Sequence, residues 1–279
     1  MVKADELAAL VAHEVGDEAV KVGTPKLAVA GVTPSVVVCP EDAVGVSKTL
    51  RLARDRRLAV VPTGAGTKLE WGASPPRIDL LLSLCRLDAV VAHRHGDLTA
   101  TVQAGASLKS VNSLLRRQTQ WLPLDTAHPD LATIGGIVAT NDSGPRRHRY
   151  GAPRDLILGV TFARADGEVA SAGGIVVKNV AGYDVARLVC GSFGILGPIA
   201  DISLKVLPKP EVERTVVLEV PLESAVGLMS RLRHRVSGVS ACAYHEGRLR
   251  VRVSGRETAV QREVAQLGGD LSEDGFWRD

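Results

Sequence analysis

The hydrophobic positions of the first hundred residues combine one helical repeat with several short apolar runs. From Leu7 to Val15 the apolar residues recur every three or four positions, which predicts an amphipathic helix over residues 4–15. A second helix is predicted to begin at Glu41 and Asp42, because acidic side chains stabilise a helix N-terminus. Short apolar runs typical of buried strands occupy residues 36–39, 58–61, 78–83, 87–92 and 98–104. This part of the chain is therefore predicted to be a small α+β module with the order β-α-β-β-β-β.

A second unit, with a long irregular stretch, is predicted to follow. Ser107 is expected to cap a helix that ends near Arg117. Residues 121–150 then show little regular pattern, and such long segments in compact domains are usually functional or disordered. Disorder is the poorer explanation here, because apolar residues alternate with the glycines. A hairpin over residues 156–170 and a strand over residues 199–206 complete the unit.

The pattern changes after Pro208 and Pro210, which predict a linker. A strand, a helix, a hairpin and another helix follow. This β-α-β-β-α order is most of a ferredoxin-like split βαβ unit, without its last strand. Phe276 and Trp277 stand at the end of the sequence, where two aromatic residues are unusual for a free tail. We expect either that the sequence is truncated there or that this end packs on another part of the protein.

Composition and charge narrow the class of protein. The 279 residues, of which 45% are hydrophobic, are enough for one large or two ordinary domains with a sizeable core. Aromatic residues make up only 3%, so aliphatic side chains must fill that core. The net charge of +3 argues against a nucleic-acid-binding protein. No apolar run approaches the roughly 18 residues of a membrane span, so no transmembrane segment is predicted.

The cysteines and histidines do not predict a metal site. The four cysteines are far apart and form no CxxC pair, which argues against a zinc ribbon or an iron–sulfur cluster within this chain. Their apolar neighbours suggest buried, reduced thiols in a cytoplasmic protein. His93 and His95 are spaced like ligands on one strand face, but such a pair is more often a solvated hairpin tip.

The most informative stretch is a glycine-rich turn after the apolar run at residues 58–61. Pro62 is expected to end that strand, because proline cannot donate to a ladder. Residues 63–67 have the sequence Thr-Gly-Ala-Gly-Thr, and such small residues let successive backbone N–H groups approach a phosphate or pyrophosphate. Lys68 adds a positive charge beside them. A plain glycine-rich turn without a ligand is the alternative.

Two familiar phosphate-binding motifs do not fit this turn. The dinucleotide fingerprint needs a third glycine, but Leu69 stands at that position. The P-loop needs Gly-Lys-Ser/Thr, whereas the order here is Gly-Thr-Lys. A second glycine pair, Gly135 and Gly136, also permits close approach to a ligand, although a tight helix start with packing glycines explains it as well. The basic run at residues 146–149 could meet an anion, but we favour a solvated run.

Several motifs occur in a characteristic order. P-T-G-A-G-T-K is followed by W-G, then by A-T-I-G-G-I-V-A-T-N-D-S-G and R-Y-G-A-P-R-D, and finally by A-D-G-E, K-N-V-A-G-Y-D and G-S-F-G-I-L-G-P-I. Over about residues 30–210 this arrangement resembles the flavin-binding domain of the vanillyl-alcohol-oxidase/PCMH class, and within it the second FAD-binding subunits of bacterial glycolate oxidases. The resemblance implies an α+β domain over residues 1–210 that binds FAD between subdomains at about 30–104 and 105–210. Residues 211–279 are then a short, partial cap domain of the ferredoxin-like type.

The resemblance also implies which residues hold the cofactor. The pyrophosphate loop corresponds to Thr63, Gly64, Ala65, Gly66, Thr67 and Lys68, with Gly72 as the small residue after it. Leu124 and Asp125 match the segment that enters the flavin cavity, and the stretch along the ribityl chain and phosphates matches Thr133, Gly135, Gly136, Ala139 and Asn141. Gly144 and Tyr150 continue that stretch, and Ile199 matches a residue at the adenine end. Thr67 stands where some members carry a flavin-linking histidine, so non-covalent FAD is expected.

The resemblance implies a flavoprotein oxidoreductase that oxidises a 2-hydroxy acid such as glycolate or D-lactate by hydride transfer to FAD. Candidates for catalysis on the flavin-facing segments are Lys178, Tyr183 and Arg149, none of which is an evident base at neutral pH. The family's D-2-hydroxy-acid dehydrogenases bind a metal through His and Glu residues of the cap, whereas this chain offers only His234 and His245 there. We therefore expect that the chain alone binds FAD but reduces it slowly or not at all with either acid. Partners are expected to include a larger flavin subunit and an iron–sulfur subunit.

Two other functions stay open at this stage. The chain could be a non-catalytic subunit that carries FAD or relays electrons in a multi-subunit dehydrogenase. It could also be a nucleotide-binding regulatory module without redox activity. The resemblance further implies a cytoplasmic location, peripheral to the inner face of the membrane through partners.

Overall fold

The computed structural model describes residues 3–175, 182–272 and 276–278 of the chain, so the catalytic candidate Lys178 lies outside the described residues. The first sheet consists of β1 (Val20–Val22), β2 (Val36–Val38), β3 (Val60–Thr63) and β4 (Leu80–Ser83). Its order is β1-β2-β4-β3. β1 pairs antiparallel with β2, whereas β4 is parallel to both β2 and β3.

Two helices pack beside this sheet and begin where the sequence pattern predicts. They are α1 (Ala4–Val15) and α2 (Ala43–Arg56), which contact each other. The Asp42 carboxylate caps α2 by accepting a hydrogen bond of 2.7 Å from the Gly45 N–H. Pro62 lies inside β3 and does not end it, contrary to the sequence expectation. The reason is that β3 is an edge strand, where a missing donor is tolerated.

A second sheet is antiparallel throughout and has five strands. Along the chain they are β5 (Val90–Arg94), β6 (Thr99–Gln103), then, after the short β7 (Gln120–Trp121), β8 (Ile157–Ala163), β9 (Val169–Gly173) and β10 (Ile199–Lys205). The order is β5-β6-β10-β8-β9. The sequence pattern assigns the β5–β6 hairpin to the first unit, but β6 pairs with β10. A local pattern identifies a hairpin without revealing the distant strand that lies beside it.

Short helices and a small strand pair connect these sheets. The helices are α3 (Leu108–Leu115), α4 (Ile134–Thr140), α5 (Arg147–Tyr150), α6 (Pro153–Leu156) and α7 (Val185–Val189). Ser107 caps α3 as predicted, since its Oγ accepts a hydrogen bond of 3.0 Å from the Ser110 N–H. The stretch expected to be irregular thus contains α4 and α5. Pro208 belongs to β11 (Leu207–Pro208), which pairs with β7, so the predicted linker is partly a strand.

One hydrophobic core joins both sheets. Leu80 and Leu82 of β4 and Ile202 and Leu204 of β10 are fully buried in the same cluster of side chains. Aliphatic residues dominate this cluster, as the low aromatic content predicts. Because the two sheets share a core, the loops at their facing edges are held in fixed positions relative to each other.

A separate sheet forms the C-terminal unit. Its elements are β12 (Val212–Glu219), α8 (Leu222–Arg235), β13 (Val239–His245), β14 (Arg248–Gly255), α9 (Glu257–Leu267) and β15 (Asp270–Ser272). The strands are antiparallel in the order β13-β14-β12-β15. The sequence expectation that the last strand is missing is wrong, since β15 pairs with β12. Three residues, two of them polar, carry too little hydrophobic pattern to predict a strand.

The two faces of this sheet differ in chemistry. The apolar residues of β14 are buried in a core of their own with α8 and α9. Arg250 and Arg252 alternate with them along the strand and face the other side. There, the ring centroid of Phe276 lies 4.1 Å from Arg250 Cζ, and that of Trp277 lies 4.3 Å from Arg252 Cζ. The end of the sequence therefore packs on the protein, which was one of the two expectations for it.

Candidate cofactor site

A cleft opens between the glycine-rich loop after β3 and the start of α4. It has a volume of about 740 Å³, including its open mouth. Residues of the loop before β10 and Ile199, the first residue of β10, also line it. The cofactor-binding residues predicted from the resemblance that line this cleft are Thr63, Gly64, Ala65, Gly66, Thr67, Lys68, Thr133, Gly135, Gly136, Ala139 and Ile199.

The glycine-rich loop presents a row of free backbone donors. Within the part of the chain that the structure describes, the N–H groups of residues 64–68 donate no hydrogen bond to the protein. Backbone donors need a partner, and successive free amides in a turn suit the oxygens of a phosphate. The loop and the cleft therefore fit a ligand with a diphosphate, as FAD has.

Glycine is needed at these positions of the cleft for two different reasons. A Cβ on Gly64 would lie 2.1 Å from Thr133 Oγ1, and one on Gly135 would lie 2.6 Å from Ala104 Cβ. These two glycines are required by close packing, of the loop on Thr133 and of α4 on Ala104, which directly follows β6. In contrast, a Cβ on Gly66 would have Leu69 Cδ1 as its nearest neighbour at 3.5 Å, and Gly66 has φ of +75°. At that position the backbone conformation, rather than space, favours glycine.

Thr133 connects the loop to α4. It is the N-cap of α4, and its Oγ1 accepts a hydrogen bond of 3.2 Å from the Gly136 N–H. The same oxygen is the atom against which Gly64 packs. One side chain thus fixes the start of α4 against the loop that carries the free donors.

The positive charge that Lys68 adds beside the loop is ion-paired in the structure. Lys68 Nζ lies 3.1 Å from Asp142 Oδ2, and both side chains are buried. Thr126 Oγ1 donates to the same carboxylate oxygen at 2.5 Å. Sequence reasoning did not identify Asp142 or Thr126, because nothing in a local pattern links them to the loop.

Sequence reasoning also missed part of the cleft wall. Thr140, Phe193, Gly194 and Gly197 line the cleft. Gly194 has φ of +77°, and a Cβ there would lie 2.8 Å from Pro62 Cγ, so this loop packs against the end of β3. The recurring glycines of G-S-F-G-I-L-G indicate close packing, and this signal could have identified Phe193, Gly194 and Gly197 from the sequence.

The other predicted cofactor residues lie behind or beside the cleft rather than in its lining. Gly72 is exposed, and Leu124 is buried in the core. Asn141 has φ of +50° at the end of α4, and its Oδ1 accepts a hydrogen bond from the Arg154 N–H. A Cβ on Gly144 would lie 2.9 Å from Asp125 Oδ2, so these two residues pack on each other. Whether any of them touches the cofactor stays a prediction.

Tyr150 and the basic run form the junction with the C-terminal unit. Tyr150 packs edge-on against Trp121, and burial raises the pKa of its hydroxyl. Arg146 is mostly buried, with its guanidinium 3.6 Å from Asp125 and 3.6 Å from Glu213 of β12. Our preference for a solvated basic run is therefore wrong for Arg146. The run is a junction between the two parts of the chain.

The two described catalytic candidates do not reach the cleft. Arg149 Nη1 donates hydrogen bonds to the carbonyl oxygens of Gly238 and Ser254, at 3.0 and 2.7 Å, and so anchors the C-terminal unit. The Tyr183 side chain is almost fully exposed to solvent. Neither residue lines the cleft, so their catalytic roles stay predictions without support from the geometry.

Arg252 is the most enclosed charge at this junction. Only 5% of the residue is exposed, and its Nη1 has no hydrogen-bond partner among the described residues. Burial, reinforced by the nearby positive charge of Arg146, lowers the pKa of Arg252 to about 10. The carboxylates of Glu213 and Asp125 oppose that shift. The junction thus buries an arginine side chain beneath the Trp277 ring.

Histidine and cysteine side chains form no metal site in the described part of the chain. There, no group of three or more His, Cys, Asp or Glu residues is arranged to hold an ion. His93 Nε2 lies 2.8 Å from Gln120 Oε1, which explains its position without a metal. The cysteines are free thiols, but Cys85 is exposed rather than buried as expected. Burial raises the pKa of both Cys190 and Cys242 to about 11.

Comparison with known proteins agrees with the cleft chemistry. Residues 34–173 match a family model described as an FAD binding domain. The chain is 33% identical over 184 residues to glycolate oxidase subunit GlcD of Bacillus subtilis, a match that covers 66% of this chain and 39% of that protein. It is 34% identical over 190 residues to glycolate oxidase subunit GlcE of Escherichia coli, covering 68% of this chain and 54% of that protein. The chain thus spans about half or less of the length of these relatives.

Solved structures show the same fold at low sequence identity. An alkyldihydroxyacetonephosphate synthase superimposes with a TM-score of 0.73 at 17% identity, covering 88% of this chain and 54% of that one. Wild-type Phl p 4.0202, a glucose dehydrogenase, superimposes with a TM-score of 0.73 at 15% identity, covering 95% and 59%. These structures show the fold, and the family match together with the glycolate oxidase relatives supports FAD as the cofactor. The chain belongs to the family of PCMH-type FAD-binding domains.

Proposed function

We propose that this chain is the FAD-binding part of an oxidoreductase that oxidises a 2-hydroxy acid of the glycolate or D-lactate type. The observation that carries the proposal is the cleft with the free backbone donors of residues 64–68, on a domain of the PCMH family. Its relatives are named as glycolate oxidase subunits and as D-2-hydroxyglutarate and D-lactate dehydrogenases. When bound, FAD supplies the acceptor for the hydride that leaves the substrate carbon.

The cofactor is held without a covalent bond in this proposal. Thr67 stands at the position where some members carry a linking histidine. Among the described residues, neither a histidine nor a cysteine lines the cleft. Acid precipitation of the yellow protein is expected to leave all of the flavin in the supernatant. A pellet that keeps the yellow colour after washing would contradict non-covalent binding.

The chain is proposed to act as a subunit that does not turn over substrate by itself. Removing the hydroxyl proton of the acid requires a base, and holding its carboxylate requires a cation. The ionisable side chain among the described residues that line the cleft is Lys68, and its charge is engaged by Asp142. A larger flavin subunit is proposed to provide the missing groups, and an iron–sulfur subunit to accept the electrons.

The same observation favours a second candidate function, an FAD-carrying or electron-relay subunit of a multi-subunit dehydrogenase. Such a complex is proposed to be cytoplasmic and peripheral to the inner face of the membrane. No helix among the described residues is both long and apolar enough to cross a membrane. Reduction of the FAD of this chain by a partner, without contact with substrate, is the property that separates a relay from a catalytic subunit.

The visible spectrum of the purified chain under anaerobic conditions tests these proposals. We expect the absorption bands of bound FAD, and little or no bleaching by glycolate or D-lactate until a larger flavin subunit is added. Rapid bleaching by either acid with this chain alone would refute the dependence on a partner. A folded protein that neither carries nor takes up FAD would refute the proposed function as a whole.

A further inference from the structure

The Lys68 ammonium, which lines the cleft, is engaged by a carboxylate of the protein. It lies 3.1 Å from Asp142 Oδ2, with only 6% of the Lys68 side chain and 9% of the Asp142 side chain exposed. Exposed ion pairs contribute little to stability, but breaking a buried pair is costly because the remaining charge is left without a partner. The pair is therefore a fixed part of the cleft wall.

Asp142 ties the glycine-rich loop to two other segments. Its Oδ2 accepts a hydrogen bond from Thr126 Oγ1 at 2.5 Å, and its N–H donates to the Ile137 carbonyl of α4 at 3.0 Å. It directly follows Asn141, at which α4 ends. Lys68 is the last residue of the loop with the free donors. By pairing with Lys68, Asp142 therefore fixes the position of that end of the loop relative to α4.

The pair also determines which groups attract an anion. Lys68 and Asp142 together carry no net charge, whereas the neighbouring N–H groups of residues 64–68 have no partner within the described protein. We infer that Asp142 is a positioning residue for the FAD loop, which it fixes through Lys68. It follows that the diphosphate is recognised by the loop amides and not by the Lys68 ammonium. This inference rests on FAD as the ligand of the cleft.

A double-mutant cycle on the full chain tests the inference. The variants are Lys68→Met, Asp142→Asn and the combination of both, and the measurement is the FAD dissociation constant of each apoprotein from flavin fluorescence. Each titration is done at about 50 mM and at about 500 mM NaCl. Salt screens the attraction between an exposed ammonium and the diphosphate, so the comparison distinguishes that attraction from an effect on the position of the loop.

Asp142→Asn is expected to weaken FAD binding about tenfold or more at the higher salt, since the loop loses its anchor. The loss is expected to be smaller at the lower salt, because the released ammonium then attracts the diphosphate. Lys68→Met and the double variant lose the same anchor, so both are expected to be as weak as Asp142→Asn at the higher salt, and the second substitution adds no further loss. This non-additivity, and a salt dependence confined to Asp142→Asn, are effects that a merely structural aspartate would not produce.

Two results would overturn the inference. One is that Lys68→Met and the double variant both lose FAD while Asp142→Asn binds normally, which would make Lys68 a direct ligand. The other is that the double variant binds within about threefold of the parent, which would show that Asp142 only neutralises Lys68 and that the pair positions nothing. Circular dichroism checks folding, and if Asp142→Asn does not fold, the double variant decides by the same threefold criterion. Failure of the parent chain to bind FAD would instead refute the identity of the ligand.

A matched control is available on the surface. Lys109 Nζ and Asp130 Oδ1 are also 3.1 Å apart, but their side chains are 65% and 72% exposed. Lys109→Met and Asp130→Asn are expected to leave FAD affinity unchanged at both salts, because an exposed pair positions nothing in the cleft.

Discussion

Gly66 shows how a single residue determines whether the loop can bind. Its φ of +75° belongs to the left-handed region, which β-branched residues avoid, although the space around it is open. Gly66→Val is therefore expected to turn the loop away from its present conformation and to abolish FAD binding. Titration of the apoprotein with FAD, followed by flavin fluorescence, measures the loss.

Gly96 provides the control for that substitution. It is exposed between β5 and β6, its φ lies outside the left-handed region, and a Cβ there would meet nothing within 4 Å. Gly96→Val is thus expected to keep the affinity of the parent. Stoichiometric FAD in a folded Gly66→Val protein would show that the diphosphate is not bound at this loop.

Residue types along the chain predicted the loop but not its electrostatics. The small residues 63–67 indicated a phosphate site without any structural information, because their local pattern is itself the property that matters. The partner of Lys68 could not be predicted in this way. Asp142 is distant in the sequence, and only the folded chain brings the two charges together. The burial of Arg252 could not be predicted for the same reason. The alternation of residues along β14 places Arg252 on the polar face of the strand, and such a face is usually exposed to solvent.

At the scale of elements, α4 combines packing and ligand approach on adjacent residues. A Cβ on Gly135 would overlap with Ala104, which directly follows β6, whereas a Cβ on Gly136 would meet only Thr133 Oγ1, at 3.2 Å. Gly135→Ala is therefore expected to lower the free energy of unfolding by about 1–3 kcal/mol, as overpacking does. Gly136→Ala is expected to leave stability within about 1 kcal/mol, because alanine favours a helix.

Thermal unfolding and FAD titration of both apoproteins check this pair of variants. Gly136 lines the cleft, so its alanine variant is expected to weaken FAD binding while it remains folded and stable. Equal stability of the Gly135→Ala protein and the parent would show that α4 can move away from β6. That outcome would contradict the view that packing holds the cleft wall in a fixed position before FAD binds.

Elements with a strong local signal were predictable, and those defined by distant pairing were not. The helices α1 and α9 and the capped start of α2 follow from spacing and capping residues within one segment. β15 has three residues and exists because β12 offers a free edge. The membership of β5 and β6 in the second sheet likewise depends on β10, which lies far along the chain.

At the scale of the whole molecule, the FAD-binding domain and the C-terminal unit are joined through the basic run. Arg146 contacts carboxylates of both parts, and Arg149 donates to two carbonyl oxygens of the C-terminal unit. Arg146, considered for anion binding, and Arg149, considered for catalysis, therefore have a structural role. Among the described residues that line the cleft, the ionisable side chain is Lys68, which is paired with Asp142, and this is the physical basis for proposing a partner.

Arg149→Met tests whether that residue is an anchor or a catalytic group. Loss of its two hydrogen bonds is expected to cost about 1–3 kcal/mol of docking free energy. Hydrogen exchange measured by mass spectrometry should therefore become faster in β13 and β14, with FAD affinity within about twofold of the parent. Arg147→Met is the matched control, because Arg147 is an exposed arginine of the same helix α5 and should leave exchange unchanged. If Arg149→Met instead kept normal exchange but lost substrate-dependent reduction in the assembled enzyme, Arg149 would belong to the active site and not to the anchor.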